Sequence, residues 1–255
     1  MDQPDWEGLV RNRTMPSDHL AILQTWHDLI FLHASVPVEV LQAMVPPELT
    51  VEQFDGSAWL GVVPFHMSQI RHPRLPAVPW LSKFHETNVR TYVTHPVYGP
   101  GVWFLSLDAA RYLPCWYARK VFKLPYFHAR QTSEQRGDHC YYEGRRLAKR
   151  PFPRLSCSTT NLEAYSITVR KTEDWHPADP ETFEFWLVER YRLYSIDLDN
   201  RLLSARVFHE PYQIAQAEPE TVRIAGLGEQ FGPLDFSSVL MAKSLNVQCF
   251  SPRLV

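Results

Sequence analysis

Apolar and polar residues alternate with a period of two over much of the chain, in short runs punctuated by Pro, Gly, Asp and Asn, which predicts strands joined by tight turns. Trp26 to His33 reads as a strand, and Pro37 opens a short helix that must end before Pro46-Pro47. Leu49 to Phe54 and Ser57 to Phe65 flank Asp55-Gly56, a hairpin signal. After a proline-rich loop over 71–79 comes the strand Phe84 to Val93, then a turn over 96–101 and a strand from Val102 to Asp108. Pro114 to Phe122 has a short apolar stripe of helical period, with Arg119, Lys120 and Lys123 at its end, where cations suit the helix dipole. Tyr141 to Leu147 and Cys157 to Arg170 continue a meander, and Tyr191 to Ile196 with Leu202 to Phe208 form another hairpin. Between them, Asp179-Pro180-Glu181 caps a helix with Phe183, Trp186, Leu187 and Arg190 on one side. Asn246 to Phe250 reads as an edge strand. Residues 1–25 form an N-terminal arm and 26–255 one predominantly β, α+β domain without repeats or linkers.

In the strand Phe84 to Val93, Glu86, Asn88 and Arg90 share one face while Thr87, Val89, Thr91 and Val93 share the other. On pattern alone the polar face meets water on a half-exposed antiparallel strand. Turned inward, the same face offers chemistry. Glu86 and Arg90 have Cα atoms about 13 Å apart at strand rise, which leaves room for a small guest. Phe104, Ser106 and Asp108 alternate onto one face of the next strand, where Asp108 is a candidate partner for Arg90, with turn capping as the structural alternative.

Composition narrows the picture. The 255 residues are 45% hydrophobic and 13% aromatic, enough for a large core, and 21 Pro against ten Gly point to stiff connections. A net charge of −2 favours neither nucleic acid nor an anionic membrane. No apolar run approaches a membrane span, and the polar start lacks a signal-peptide pattern, so a cytoplasmic protein is expected. Cys115, Cys140, Cys157 and Cys249 are dispersed without a CxxC pair, which argues against a disulfide framework or thiolate zinc. Of 26 basic residues six are Lys, leaving 20 Arg, a residue suited to planar carboxylates and equally a product of genome composition.

GxSxG, Walker and GxGxxG motifs are absent, which removes the common hydrolase, NTPase and dinucleotide readings. His85-Glu86 is followed by Val89 where HExxH needs a histidine. His33, His66 and His85 could converge only through the fold, so neither metal nor cofactor is expected.

Five ordered segments resemble one family: Ala58-Trp59-Leu60-Gly61-Val62-Val63-Pro64-Phe65, Phe84 to Val93, Phe104-Leu105-Ser106-Leu107-Asp108-Ala109, Leu124-Pro125-Tyr126-Phe127, and Glu189-Arg190-Tyr191-Arg192-Leu193-Tyr194. They are similar to the YqjF-like family, a domain of unknown function related to the acetoacetate decarboxylase-like superfamily. The resemblance implies an antiparallel-rich β-cone or barrel with a few short helices and a buried central pocket, into which a strand carries a glutamate, here Glu86. Decarboxylases of that superfamily form a Schiff base on an activated lysine. Tyr126 and Phe127 occupy the corresponding lysine pair, and neither can form an imine. Schiff-base chemistry would need Lys120 or Lys123 to reach the pocket.

The expected ligand is therefore a small organic acid or carbonyl compound. Glu86 is the candidate acid or base and Tyr126 a donor to a carbonyl oxygen. Arg90, Asn88, Arg119, Asp108, Phe65 and His66 are candidate binding residues. This describes a lyase-type or proton-transfer enzyme; the alternative is a non-catalytic binding or sensing domain on the same fold. A third reading is a homo-oligomer formed through exposed aromatics.

Overall fold

The computed structural model describes residues 4–78, 82–111, 122–147 and 159–255. Its strands are β1 (Leu20–His27), β2 (Leu29–Val36), β3 (Thr50–Val51), β4 (Gln53–Phe54), β5 (Ser57–Arg71), β6 (Phe84–His95), β7 (Gly99–Ala109), β8 (Tyr126–Arg136) and β9 (His139–Arg146). They continue with β10 (Ala164–Lys171), β11 (His176–Pro177), β12 (Arg192–Ile196), β13 (Leu202–Phe208), β14 (Gln213–Ala225), β15 (Ser238–Ala242), β16 (Leu245–Phe250) and β17 (Arg253–Leu254). Among the described residues four short helices accompany them: α1 (Trp6–Arg11), α2 (Val38–Gln42), α3 (Phe183–Val188) and α4 (Gly228–Phe231). None is long and apolar enough to cross a membrane.

The pairings close on themselves along two circuits that share β5, β6 and β7. One runs β5-β1-β16-β13-β12-β7-β6 and back to β5. The other runs β5-β2-β15-β14-β10-β9-β8-β7-β6 and back to β5. Closure is possible because the outer edges of β5 and β7 each serve two partners, β5 taking β2 and then β1, β7 taking β12 and then β8. The shared wall is consequently covered on both faces. Phe31, Val63, Phe65, Leu107, Tyr126, Val247 and Cys249 belong to the apolar cluster on one side, and Leu32, Val62, Val89, Leu105, Tyr142, Tyr165 and Ile167 to the cluster on the other.

Local signals account for several elements. Asp55 and Gly56 take φ of 48° and 77°, the left-handed pair of a tight hairpin, between β4 and β5. The hairpin of β12 and β13 turns at Asp197, whose carboxylate accepts from the Asp199 and Arg201 amides.

Other expectations change. The strand expected over Trp26 to His33 is two strands, broken at Asp28, where φ is 50°. The arm expected over residues 1–25 contains α1 and most of β1, with Trp6 packed on Phe54 and Phe185. Helix α3 is capped by Thr182, whose hydroxyl accepts from the Phe185 amide, and not by Asp179. The tail strand β16 lies between β1 and β13, not at an edge. The helix expected over Pro114 to Phe122 falls almost wholly outside the described residues.

Candidate functional site

The register across the shared wall aligns its side chains in rows. Phe65, Glu86 and Ala109 form one row, Val63, Asn88 and Leu107 the next, and Gly61, Arg90 and Phe104 a third. Glu86, Asn88 and Arg90 are 4%, 5% and 8% exposed, so the polar face of β6 is interior and the water-facing reading fails. Burial on both sides of the strand, which the alternation could not reveal, is the reason.

At one end of this face the Tyr126 hydroxyl donates to Glu86 Oε2 at 3.0 Å. Burial penalises the ionised carboxylate and pushes Glu86 up to about 8, the tyrosine bond opposes this, and the charge of Asp108 adds to it. Near neutral pH Glu86 is an uncharged acid with a proton to donate. Phe65 flanks it from β5.

At the other end Arg90 Nη2 donates to the Leu187 carbonyl at 3.2 Å and the Tyr92 hydroxyl at 3.4 Å, while the buried Nε has no acceptor. Its guanidinium lies over the rings of Phe31 and Tyr92 at 5.4 and 5.6 Å. No carboxylate among the described residues pairs with it. Tyr92 shares a 2.6 Å hydrogen bond with His33, whose pKa is held well below the imidazole range by burial and the charges of Arg90 and Arg190. Gly61 makes room for this arrangement: a Cβ there would lie 3.2 Å from the His33 ring and 3.4 Å from Arg90 Cγ. Between the two ends, Asn88 Oδ1 is buried and unpartnered.

Asp108 is not the partner of Arg90. It stands opposite Thr87 on the other face and takes Arg146 in a two-pronged pair at 2.7 and 2.8 Å, with the Arg146 guanidinium 3.6 Å from the Phe127 ring centre. A bulge puts Arg90 opposite Phe104 while Val89 faces Ser106, so the strict alternation of Phe104, Ser106 and Asp108 is broken at Leu105. His66 also faces away from Glu86, stacked on His27 at 4.6 Å, with Nδ1 3.3 Å from Asp28. His85 follows it at 5.7 Å, and His33 is on the opposite face, so the three histidines do not converge. Arg119 and Lys120 lie outside the described residues, and every described lysine is only partly buried or exposed.

The sequence reading missed Arg146 as the partner of Asp108 and the row His33, Gly61, Arg90. A glycine inside the apolar run Leu60 to Val63 was the available signal for close approach at that row. Two surface clefts, of about 510 and 600 Å³, lie around Pro219 to Phe236 and against β9 and β10; neither is lined by Glu86 or Arg90.

The doubly closed pairing is what the solved structures share with this chain. The fold is that of the acetoacetate decarboxylase-like proteins: an acetoacetate decarboxylase-like enzyme from Sphingomonas wittichii RW1 superposes with a TM-score of 0.66 over 92% of each chain at 13% identity. The enduracididine biosynthesis enzyme MppR, in complex with pyruvate, superposes with a TM-score of 0.61 at 12% identity, covering 94% of this chain and 92% of that one. Within this class, residues 23–246 match the family DUF2071, described as an uncharacterized conserved protein, and the chain belongs to that family. The uncharacterized protein YqjF of Bacillus subtilis (strain 168) is 34% identical over 210 residues, 82% of this chain and 81% of that one.

Proposed function

We propose that the interior face of β6 binds a small organic acid or carbonyl compound, with Arg90 holding its anionic group and Glu86 acting as proton donor or acceptor. The observation that carries this reading is Arg90: a buried guanidinium with an unused N–H and no carboxylate among the described residues. Burying an uncompensated charge is costly, and an anionic ligand removes that cost with charge-assisted hydrogen bonds. Glu86 supports proton transfer because burial and the tyrosine bond poise it near neutrality, where an acid both gives and regains a proton readily. The single Tyr126 hydroxyl proton goes to that carboxyl, and it would have to leave Glu86 to reach a carbonyl oxygen of the ligand.

The reading has no Schiff base. Tyr126 and Phe127 stand where the decarboxylase lysines are expected, and both are buried. Pyruvate bound to MppR on the same fold favours a small oxo or carboxylic acid as the ligand class.

Three measurements test the proposal. Acetoacetate with borohydride should leave the mass of the protein unchanged; a lysine adduct returns the chemistry to imine formation. A panel of small oxo and hydroxy acids should raise the melting temperature of the wild type and leave that of Arg90→Met unmoved. Turnover that disappears in Glu86→Gln assigns proton transfer, whereas stabilisation without turnover leaves a binding or sensing domain.

A further inference from the structure

His209 follows β13 and is 3% exposed. Its Nδ1 lies 2.8 Å from the Glu210 carbonyl, which can only accept, so Nδ1 carries the ring proton and Nε2 presents a lone pair. That Nε2 is buried and has no partner among the described residues. The ring stacks on Tyr191 at 4.4 Å, packs on Tyr212 at 4.6 Å and approaches Trp26 at 6.1 Å. The indole Nε1 of Trp26 is likewise buried without an acceptor.

These rings tie His209 to both ends of the candidate site. Tyr212 packs on Phe31 at 5.5 Å, and Phe31 lies under the Arg90 guanidinium. Trp26 packs on Phe65 at 5.5 Å, and Phe65 is the cross-strand neighbour of Glu86. His209 thus lies just after β13, in the same circuit as β6 but not adjacent to it in the pairing, and is linked through Trp26 and Tyr212 to Phe65 and Phe31, which touch the row of Glu86 and the guanidinium of Arg90.

We infer that His209 is a ligand-binding residue whose Nε2 accepts a hydrogen bond from a hydroxyl on the anionic ligand, so that the site selects small hydroxy acids over the corresponding oxo acids. The inference rests on the anion site proposed above. A carboxylate satisfies Arg90 but offers nothing to a lone pair, and an oxo group is itself an acceptor. A hydroxyl can donate to the His209 lone pair and still accept from an N–H such as the indole of Trp26, whose ring centre is 6.1 Å from the imidazole. Burial holds the imidazole at about 4, so it stays neutral and accepting at physiological pH.

Calorimetry with matched pairs, lactate against pyruvate and 3-hydroxybutyrate against acetoacetate, tests it on the intact protein. The wild type should bind each hydroxy acid at least about tenfold tighter than its oxo partner, since a site built around a hydroxyl rejects the analogue lacking it. His209→Phe keeps the stacking but removes the acceptor and should bring the ratio to about one. His209→Gln retains an acceptor and should restore part of the preference. Because either variant can fail to fold, the ¹⁵N resonance of His209 Nε2 is followed in the wild type: the hydroxy acid should shift it and the oxo acid should not. Equal binding of the two members, a preference that survives in His209→Phe because a water alone occupies Nε2, or an unshifted resonance overturns the inference while leaving the anion site standing. Failure of every acid to bind overturns the anion site as well.

Discussion

The two faces of the β5–β6–β7 wall treat buried charge in opposite ways. On one face Arg146 grips Asp108 with two hydrogen bonds, donates to the Thr160 carbonyl and lies on Phe127, while Thr87, Gln131 and Tyr165 bond to one another and to the Asp108 carbonyl. Its polar groups answer one another. On the other face Arg90 has a single backbone carbonyl and a long contact to a phenol, Asn88 Oδ1 has nothing, and Glu86 has one tyrosine. Satisfied networks hold structure together, whereas unsatisfied ones cost stability and persist where another molecule completes them.

Breaking the satisfied side should have the largest effect. Asp108→Ala strands the Arg146 charge in the interior and should lower unfolding free energy by about 3–5 kcal/mol in urea titrations. A loss under about 1 kcal/mol would mean that the pair is dispensable and the contrast between the faces is unfounded.

Glu86 should reveal itself through pH. Burial raises it in the folded protein from the ordinary carboxyl value of 4.5 to about 8, so the folded state holds a proton that the unfolded chain has released. Its stabilising contribution is complete below about 4.5 and is lost as pH rises toward 8, with a slope of at most about 1.4 kcal/mol per pH unit. Glu86→Gln should flatten this slope and make the variant more stable than the wild type at pH 9, by an amount on the order of 3 kcal/mol. Parallel pH profiles of the two proteins would show that Glu86 ionises normally.

Arg90→Met should do little to stability, within about 1 kcal/mol of the wild type, because a volume-matched apolar side chain replaces a charge that lacks a partner. Binding of the small acids should nonetheless fall by about tenfold or more, the worth of a charge-assisted hydrogen bond. A variant as unstable as Asp108→Ala would make Arg90 a structural residue. The smallest effect belongs to Gly61→Ala: contacts of 3.2 Å to His33 and 3.4 Å to Arg90 should cost about 1 kcal/mol and displace the guanidinium. Affinity for the acids should then drop while the melting temperature moves only a few degrees.

Some of this was legible from residues alone. The hairpin at Asp55-Gly56, the apolar side of the helix at Phe183 to Val188 and the alternation in β6 depend on nearest neighbours along the chain, and each appears in the structure. The resemblance carried by the segments around Trp59, Glu86 and Tyr126 led to the fold that the comparisons support. The pairing of Asp108 was misread because one bulged residue at Leu105 reverses every side chain beyond it, and no local pattern announces a bulge. The burial of His209 beside Trp26 was not legible because the two rings are far apart along the chain.

The sequence by itself determined that Glu86, Asn88 and Arg90 share a face, since a strand's pleat admits no other arrangement, and that Tyr126 and Phe127 cannot form an imine. Only the tertiary structure decided that this face is enclosed, that Asp108 belongs to Arg146 and that Arg90 is left without a carboxylate among the described residues. The physical reason is that pleating is a property of one strand, whereas burial and charge pairing arise when β1, β16 and β13 close over one face of the wall and β8, β9 and β10 over the other.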